Sequence, residues 1–123
     1  MAITGAHVLL YSSAADELRA LFRDVFGFRH VDAGDGWLIF ALPPAELGVH
    51  PAEGPTDTRH QFSLMCDDIG ATVRELRAKG IAVQSEPQDQ GWGISVTLAL
   101  PGGVEVQLYE PRHAVAAAIG PQP

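Results

Sequence analysis

The two halves of this chain follow the same order of sequence patterns. In each half a strand-like run leads into an amphipathic helix, and further strand-like runs come after it. Two short segments repeat most clearly: residues 40–43 (FALP) are echoed by 98–101 (LALP), and residues 46–50 (ELGVH) by 105–109 (EVQLY). Each half has only about 50 residues, too few to bury a core alone. The two halves must therefore pack against each other.

The first half predicts one helix and four strands. Ser13 offers an N-cap for the helix, and Leu18, Leu21, Phe22 and Val25 recur at the spacing of one helical face. The helix is expected to end at Gly27. The predicted strands cover residues 6–12, 28–33, 37–42 and 46–50, with a glycine-rich turn at 34–36.

The second half repeats this order after a proline-containing linker. Asp67 and Asp68 offer caps for a helix that carries Ile69, Val73 and Leu76 on its apolar face and ends at Gly80. The predicted strands cover residues 61–66, 81–85, 94–100 and 104–109.

These elements predict an α+β fold built from two tandem βαβββ modules, with the helices on one side of a curved mixed sheet and a cleft on the other. All 123 residues form one domain in this reading. Its first module covers residues 5–51, the linker 52–59, the second module 60–111 and a loose tail 112–123.

Charge and composition narrow the classes of function. The chain has 8 basic and 15 acidic residues, a formal net charge of −7, so no basic surface is expected for nucleic acid. No apolar run is long enough to span a bilayer, and the start of the chain lacks a signal-peptide pattern, so we expect neither membrane association nor export. Its single cysteine, Cys66, excludes an internal disulfide. We therefore expect a soluble, cytoplasmic, acidic domain.

Strand alternation predicts which side chains face the cleft. The apolar residues of each strand are assigned to the helix-packed face, and their neighbours to the cleft. The residues so assigned to the cleft are His7, Leu9 and Tyr11; Glu46, Gly48 and His50; Gln61, Ser63 and Met65; and Glu105, Gln107 and Tyr109. Imidazole, carboxylate and amide groups thus converge on one concavity, where a small ligand or a divalent ion would bind.

Four motifs in this order resemble those of the vicinal oxygen chelate superfamily, which includes glyoxalase I, bleomycin-resistance proteins and extradiol dioxygenases. They are His7 at the first strand, residues 26–28 (FGF) at the end of the first helix, residues 66–68 (CDD) before the second helix, and residues 100–103 (LPGG) before the last strand. The resemblance extends from His7 to about Pro111. It implies the paired-module fold, a small-molecule function and, commonly, a homodimer.

The enzymes of this superfamily hold a divalent metal with four side chains, and the resemblance places those positions on this chain. The first falls on His7, the second on Gly48, which has no side chain, and the other two on Gln61 and Gln107. His50 lies two residues from Gly48 on the same predicted face and is a candidate replacement. An imidazole and oxygen set of this kind suits zinc, nickel, manganese or iron(II).

Two functions remain open at the level of sequence. In the first, the metal polarises a substrate, Glu46 or Glu105 transfers a proton, and the protein is a glyoxalase-like lyase or an extradiol-type dioxygenase. In the second, the protein binds no metal and sequesters an aromatic or drug-like ligand, as bleomycin-resistance proteins do. The ligand-binding candidates are Tyr11, Met65, Trp92 and Tyr109. His30 and His113 belong to no motif and are expected at the surface.

Overall fold

The computed structural model describes residues 7–116 and confirms an α+β fold with two helices and mixed sheets. The helices are α1 (Ala15–Asp24) and α2 (Ile69–Ala78), and a short 3-10 helix covers Pro55–Asp57. The strands are β1 (His30–Asp32), β2 (Leu38–Phe40), β3 (Ser63–Met65), β4 (Ala82–Val83), β5 (Gln88–Asp89), β6 (Gly93–Leu100) and β7 (Val104–Pro111).

The second half forms the main sheet, in the strand order β3-β7-β6-β4, with β5 paired to β6. Strand β3 runs parallel to β7, and the other pairs are antiparallel. A parallel pair needs a long crossover, and here α2, β4 and β6 lie between the two partners along the chain. This arrangement leaves one edge of β3 open within the described residues.

The core lies between the main sheet and both helices. Leu98 on β6 and Val106 on β7 are fully buried and are register partners. Around them pack Leu18 and Phe22 from α1 and Val73 from α2. The apolar face of each helix therefore packs into the same core, as the duplicated sequence pattern predicts.

The elements predicted for the second half are confirmed: the first two strands are shorter than predicted, and β6 and β7 are longer by one and two residues. The cap of α2 is also confirmed, because the Asp68 carboxylate accepts a hydrogen bond of 3.0 Å from the Ala71 N–H. The helix ends at Ala78, and Gly80 follows its C-cap residue Lys79 with a φ of +84°, the left-handed conformation that favours glycine. The loop predicted before β6 contains one further short strand, β5.

The first half forms less regular structure. Helix α1 and the β1–β2 hairpin are present, and the turn between the strands contains Gly34, Asp35 and Gly36, all with positive φ. Phe22 of α1 packs against Phe28 and Phe40, with ring centroids 5.8 and 5.7 Å apart. These aromatic contacts join the hairpin to the core.

Two strands predicted for the first half are wrong. The described part of 6–12 and all of 46–50 have no strand partner, and Leu47 and Val49, predicted to pack inward, are each 91% exposed. The physical reason is that strand-favouring residues form a strand only when they pair with an edge that has free backbone groups, and neither segment pairs with such an edge in the described chain.

The predicted N-cap at Ser13 is also wrong, because Ala14 occupies that position and makes no side-chain cap. The neighbouring Ser12 is used instead: its hydroxyl donates to the Pro101 carbonyl at 2.8 Å and accepts from the Ala14 N–H at 3.0 Å. A Cβ on Gly102 would lie 1.9 Å from the Ser12 Oγ, so this close approach requires glycine. The contact fastens the start of α1 to the β6–β7 turn.

Among residues 7–116 no helix is both long and apolar enough to cross a membrane. The predicted tail, 112–123, is described only as far as Ala116, whose N–H donates to the Glu46 carboxylate at 2.8 Å. The rest of that prediction falls outside the described residues.

We expect replacement of Asp68 by alanine to lower the free energy of unfolding by about 1 kcal/mol, because the Ala71 N–H loses its acceptor. Asp67→Ala is the matched control, since its exposed carboxylate caps nothing in the described chain. Urea denaturation followed by circular dichroism measures both. An equal loss in the two variants would contradict the capping role.

Candidate ligand-binding groove

A groove of about 1230 Å³ follows the open edge of β3. All residues from Arg59 to Cys66 line it, so side chains of both alternations reach it. One flank of the groove is the sheet face opposite the helices, where Ser63 and Met65 of β3 lie beside Gln107 and Tyr109 of β7. This is the face that strand alternation predicts for the cleft.

The centre of this flank is polar. The Ser63 hydroxyl donates to the Gln107 Oε1 at 3.1 Å, which the parallel register of the two residues allows. In this arrangement the amide oxygen of Gln107 is the acceptor and is held by Ser63. The Gln107 Nε2 is thereby left to donate to a ligand.

An aromatic pair borders the groove beside this polar centre. The rings of Trp92 and Tyr109 meet edge to face, with centroids 5.0 Å apart and an interplanar angle of 82°. Trp92 remains 44% exposed, so its indole still offers a surface to a ligand. Gly93 makes room for the pair, since a Cβ there would lie 2.8 Å from the Glu110 carbonyl oxygen.

The loop that carries Trp92 is held to the end of β7. The Trp92 carbonyl accepts from the Arg112 N–H at 2.9 Å, and the Arg112 guanidinium pairs with the Asp89 carboxylate. The Gly91 N–H donates to the same carboxylate at 2.9 Å. These two donors, the Gly91 N–H first, lower the pKa of Asp89 below its usual range. The indole is therefore positioned by bonds that do not involve its own ring.

One end of the groove holds a cluster of ionisable groups. The Tyr109 hydroxyl lies 3.2 Å from the His113 Nε2, and the Glu46 Oε1 lies 3.8 Å from that nitrogen. The other carboxylate oxygen of Glu46 accepts from the Ala116 N–H at 2.8 Å. Burial, with a smaller contribution from the Glu46 charge, raises the pKa of Tyr109, so its hydroxyl stays protonated at neutral pH.

The residues that the resemblance assigns to a metal are only partly brought together. His7, Gln61 and Gln107 line the groove. His50 does not: it is exposed, and its Nδ1 lies 2.8 Å from the Pro51 carbonyl oxygen. Gly48 offers no donor.

These residues do not fit a divalent metal. Within residues 7–116 no three histidine, cysteine or carboxylate side chains lie close enough to hold an ion together. The oxygen of Gln107 already accepts from Ser63, and Gln61 supplies only a neutral amide. The donor set thus lacks both the charge and the number of ligands that such an ion needs.

The other predicted site residues divide in the same way. Met65, Trp92, Tyr109 and Glu46 line the groove. Glu105 is exposed on β7 and lies outside it, and Tyr11 is 87% exposed and also outside. The two carboxylates proposed for proton transfer are therefore not brought to one place.

Sequence reasoning missed His113, which was expected at the surface. It follows β7, and the chain there turns back so that the imidazole meets Tyr109 and Glu46. His113 is four residues from Tyr109, and this spacing predicts no contact in a strand, because side chains four residues apart on a strand are well separated. No signal in the sequence identifies this contact, because the turn after β7 creates it.

A second cavity of about 370 Å³ lies on the helix side of the first half, between α1 and the β1–β2 hairpin. Phe22, Phe28 and Trp37 line it, and the Arg19 guanidinium lies 5.4 Å from the centre of the Trp37 ring. Among its lining residues His7 is the single one from the proposed metal set.

Comparison with known proteins identifies a family. The sequence model of the Glyoxalase/Bleomycin resistance protein/Dioxygenase superfamily matches residues 5–108. No curated protein matches the sequence.

Solved structures show the same fold. An antibiotic-binding protein from a Streptomyces species is 24% identical, with a TM-score of 0.66, over 90% of this chain and 98% of that one. A lactoylglutathione lyase from Agrobacterium tumefaciens is 23% identical, with a TM-score of 0.61, over 87% and 92%. A superfamily member from Sphaerobacter thermophilus is 20% identical, with a TM-score of 0.59, over 88% and 98%. At these identities the likeness shows the fold alone.

We expect Gly93→Ala to displace the aromatic pair, because its Cβ would meet the Glu110 carbonyl oxygen at 2.8 Å and the Tyr109 ring at 3.0 Å. Thermal denaturation should show a loss of about 1–3 kcal/mol, and the near-ultraviolet circular dichroism of Trp92 should change. Gly48→Ala is the control, since a Cβ there meets nothing within 4 Å. Equal effects of the two variants would count against the proposed close approach.

Proposed function

Because the chain belongs to the glyoxalase/bleomycin-resistance/dioxygenase superfamily, we propose that it sequesters an aromatic small molecule in the groove along β3, without a metal. The observation that carries this proposal is the half-exposed Trp92, held edge to face on Tyr109 beside the polar Ser63–Gln107 pair. An aromatic surface next to a few fixed polar groups is the usual composition of a small-molecule site.

The groups of the groove serve binding in distinct ways. The Trp92 ring provides the area on which an aromatic ligand stacks. The Gln107 amide, whose oxygen is held by Ser63, donates to an acceptor on the ligand. Met65 provides a polarisable apolar contact in the same groove.

A second candidate function is a metal-dependent lyase or dioxygenase, for which His7 in the groove is the supporting observation. Within residues 7–116 no three histidine, cysteine or carboxylate side chains lie close enough to hold an ion, so we derive no reaction step through a metal. The two named neighbours represent both candidates, one an antibiotic-binding protein and the other a lyase. The donor set makes binding the preferred proposal.

A further proposal concerns the compartment in which the protein acts. Cys66 is the single cysteine of the chain and is a free, partly buried thiol whose pKa is raised by burial. A chain with one cysteine forms no internal disulfide and so suits a reducing compartment, and we place the proposed function in the cytoplasm.

The partner that we propose is a second copy of this chain. The open edge of β3 and the exposed, strand-favouring segment 46–50 each lack a partner within the described chain. Leu47 and Val49 alternate with Gly48 and are each 91% exposed. This is the pattern of a strand whose apolar face is not covered by the chain itself. A symmetric pair of chains would supply both edges at once and close the open side of the groove.

The binding proposal is tested with 7-methoxycoumarin, a neutral aromatic probe, by calorimetry on protein treated with EDTA. We expect saturable binding with the same affinity in EDTA-treated and untreated protein. Trp92→Ala should weaken it about tenfold, the equivalent of one lost aromatic contact. Trp37→Ala, which removes the other tryptophan from outside the groove, is the matched control.

Two results would contradict this proposal. One is stoichiometric binding of nickel, zinc, manganese or iron(II) that disappears in His7→Ala, which would favour the enzyme. The other is loss of coumarin binding in Trp37→Ala but not in Trp92→Ala, which would move the site to the second cavity, lined by Trp37.

The dimer is tested by sedimentation velocity. The parent protein should sediment with twice the 13.1 kDa mass of one chain. Leu47→Asp and Val49→Asp should each shift it to the monomer without unfolding it, because both side chains are already exposed in the single chain. Ala71→Asp adds the same charge to the exposed face of α2 and should leave the dimer intact. A monomeric parent would rule out the proposed pairing.

A further inference from the structure

The cluster at the end of the groove has a fixed arrangement of protons. The His113 Nδ1 lies 2.8 Å from the Ala114 carbonyl oxygen, which can only accept, so Nδ1 carries a proton. In the neutral imidazole Nε2 is then a bare acceptor. The Tyr109 hydroxyl, 3.2 Å away, must therefore donate to it.

Proton uptake by His113 would reverse this arrangement. Nε2 becomes a donor, and the Glu46 Oε1 at 3.8 Å stabilises the new positive charge. Tyr109 loses its acceptor, so its hydroxyl is free to donate elsewhere. The raised pKa of Tyr109 keeps that proton in place. One proton thus converts an acceptor site into two donors that face the groove.

The other charged groups near the imidazole are already paired. Arg112 precedes it and is bonded to Asp89, and Glu46 also accepts from the Ala116 N–H. Among the described residues, the titratable groups that face His113 are therefore Tyr109 from β7 and Glu46 from the segment before residue 50. The proton that His113 lacks must come from a ligand or from solvent.

We propose that this cluster recognises an acidic aryl hydroxyl, with His113 as the residue that accepts its proton. This inference rests on the proposed aromatic-binding function and specifies its ligand class. The O–H bond of the ligand breaks, its proton forms a bond to the His113 Nε2, and the electron pair stays on the ligand oxygen. The resulting oxyanion accepts from Tyr109 and His113, and the ring stacks beside Trp92, whose centroid is 5.0 Å from that of Tyr109.

A carboxylic acid fits the cluster less well. It is already ionised at neutral pH and brings no proton, so its charge would face Glu46 across a neutral imidazole. A methylated hydroxyl has no proton to transfer and cannot become an oxyanion. The cluster thus distinguishes an acidic phenol from its own methyl ether.

The experiment compares 7-hydroxycoumarin with 7-methoxycoumarin on the full chain. The phenol and phenolate forms of the first probe absorb differently, so its spectrum reports the proton. At pH 7 we expect the hydroxycoumarin to bind about tenfold more tightly than the ether, as for one hydrogen bond to a charged group. The bound probe should show the phenolate spectrum.

Three variants separate recognition from general damage. His113→Gln keeps hydrogen-bonding capacity but cannot take up the proton, so it should abolish the phenolate spectrum and the preference while the ether still binds. Tyr109→Phe keeps the ring against Trp92 and should reduce the preference in part. His30→Gln alters an exposed histidine of β1 outside the groove and should change neither.

The outcomes are distinguishable. Equal binding of both coumarins, or a preference that survives in His113→Gln, would overturn this inference and leave the aromatic-binding function standing. Failure of both coumarins to bind would overturn the aromatic-binding function itself, and this inference with it.

Discussion

The contact between Leu98 and Val106 organises this protein. The two side chains are register partners on β6 and β7 and are completely buried, in a core cluster that also contains apolar residues of both helices. Burial of large apolar side chains is the main source of stability in a domain of this size, and each such residue contributes about 1.5–3 kcal/mol. The two longest strands are therefore held in one register, and with it the orientation of every side chain on their opposite face.

That opposite face carries the candidate site. With Val106 and Leu108 buried, Gln107 and Tyr109 necessarily point away from the helices and toward the groove. The parallel pairing of β3 then places Ser63 against Gln107, and the turn after β7 brings His113 to Tyr109. The same hairpin that completes the core thus orients the polar groups that we propose recognise a ligand.

The two halves share a sequence pattern but fold to different extents. The second half builds a four-strand path, whereas the first contributes a helix and a hairpin fastened by Phe22 and by the Ser12–Pro101 bond. The two halves differ because a repeated sequence forms a repeated strand only where it pairs with the edge of a neighbouring strand. It is also the reason that a second copy of the chain is the proposed partner.

The sequence by itself determined both helices, their buried faces, the strands of the second half and the outward direction of Gln107 and Tyr109, because these depend on local periodicity and strand alternation. Only the tertiary structure decided that residues 46–50 form no strand, since strand formation depends on a neighbouring edge. Only the tertiary structure brings Glu46, Tyr109 and His113 together. Glu46 is distant along the chain from the other two, and His113 lies beyond the end of the strand that carries Tyr109. Their meeting depends on a turn and a long-range approach, which no local pattern encodes.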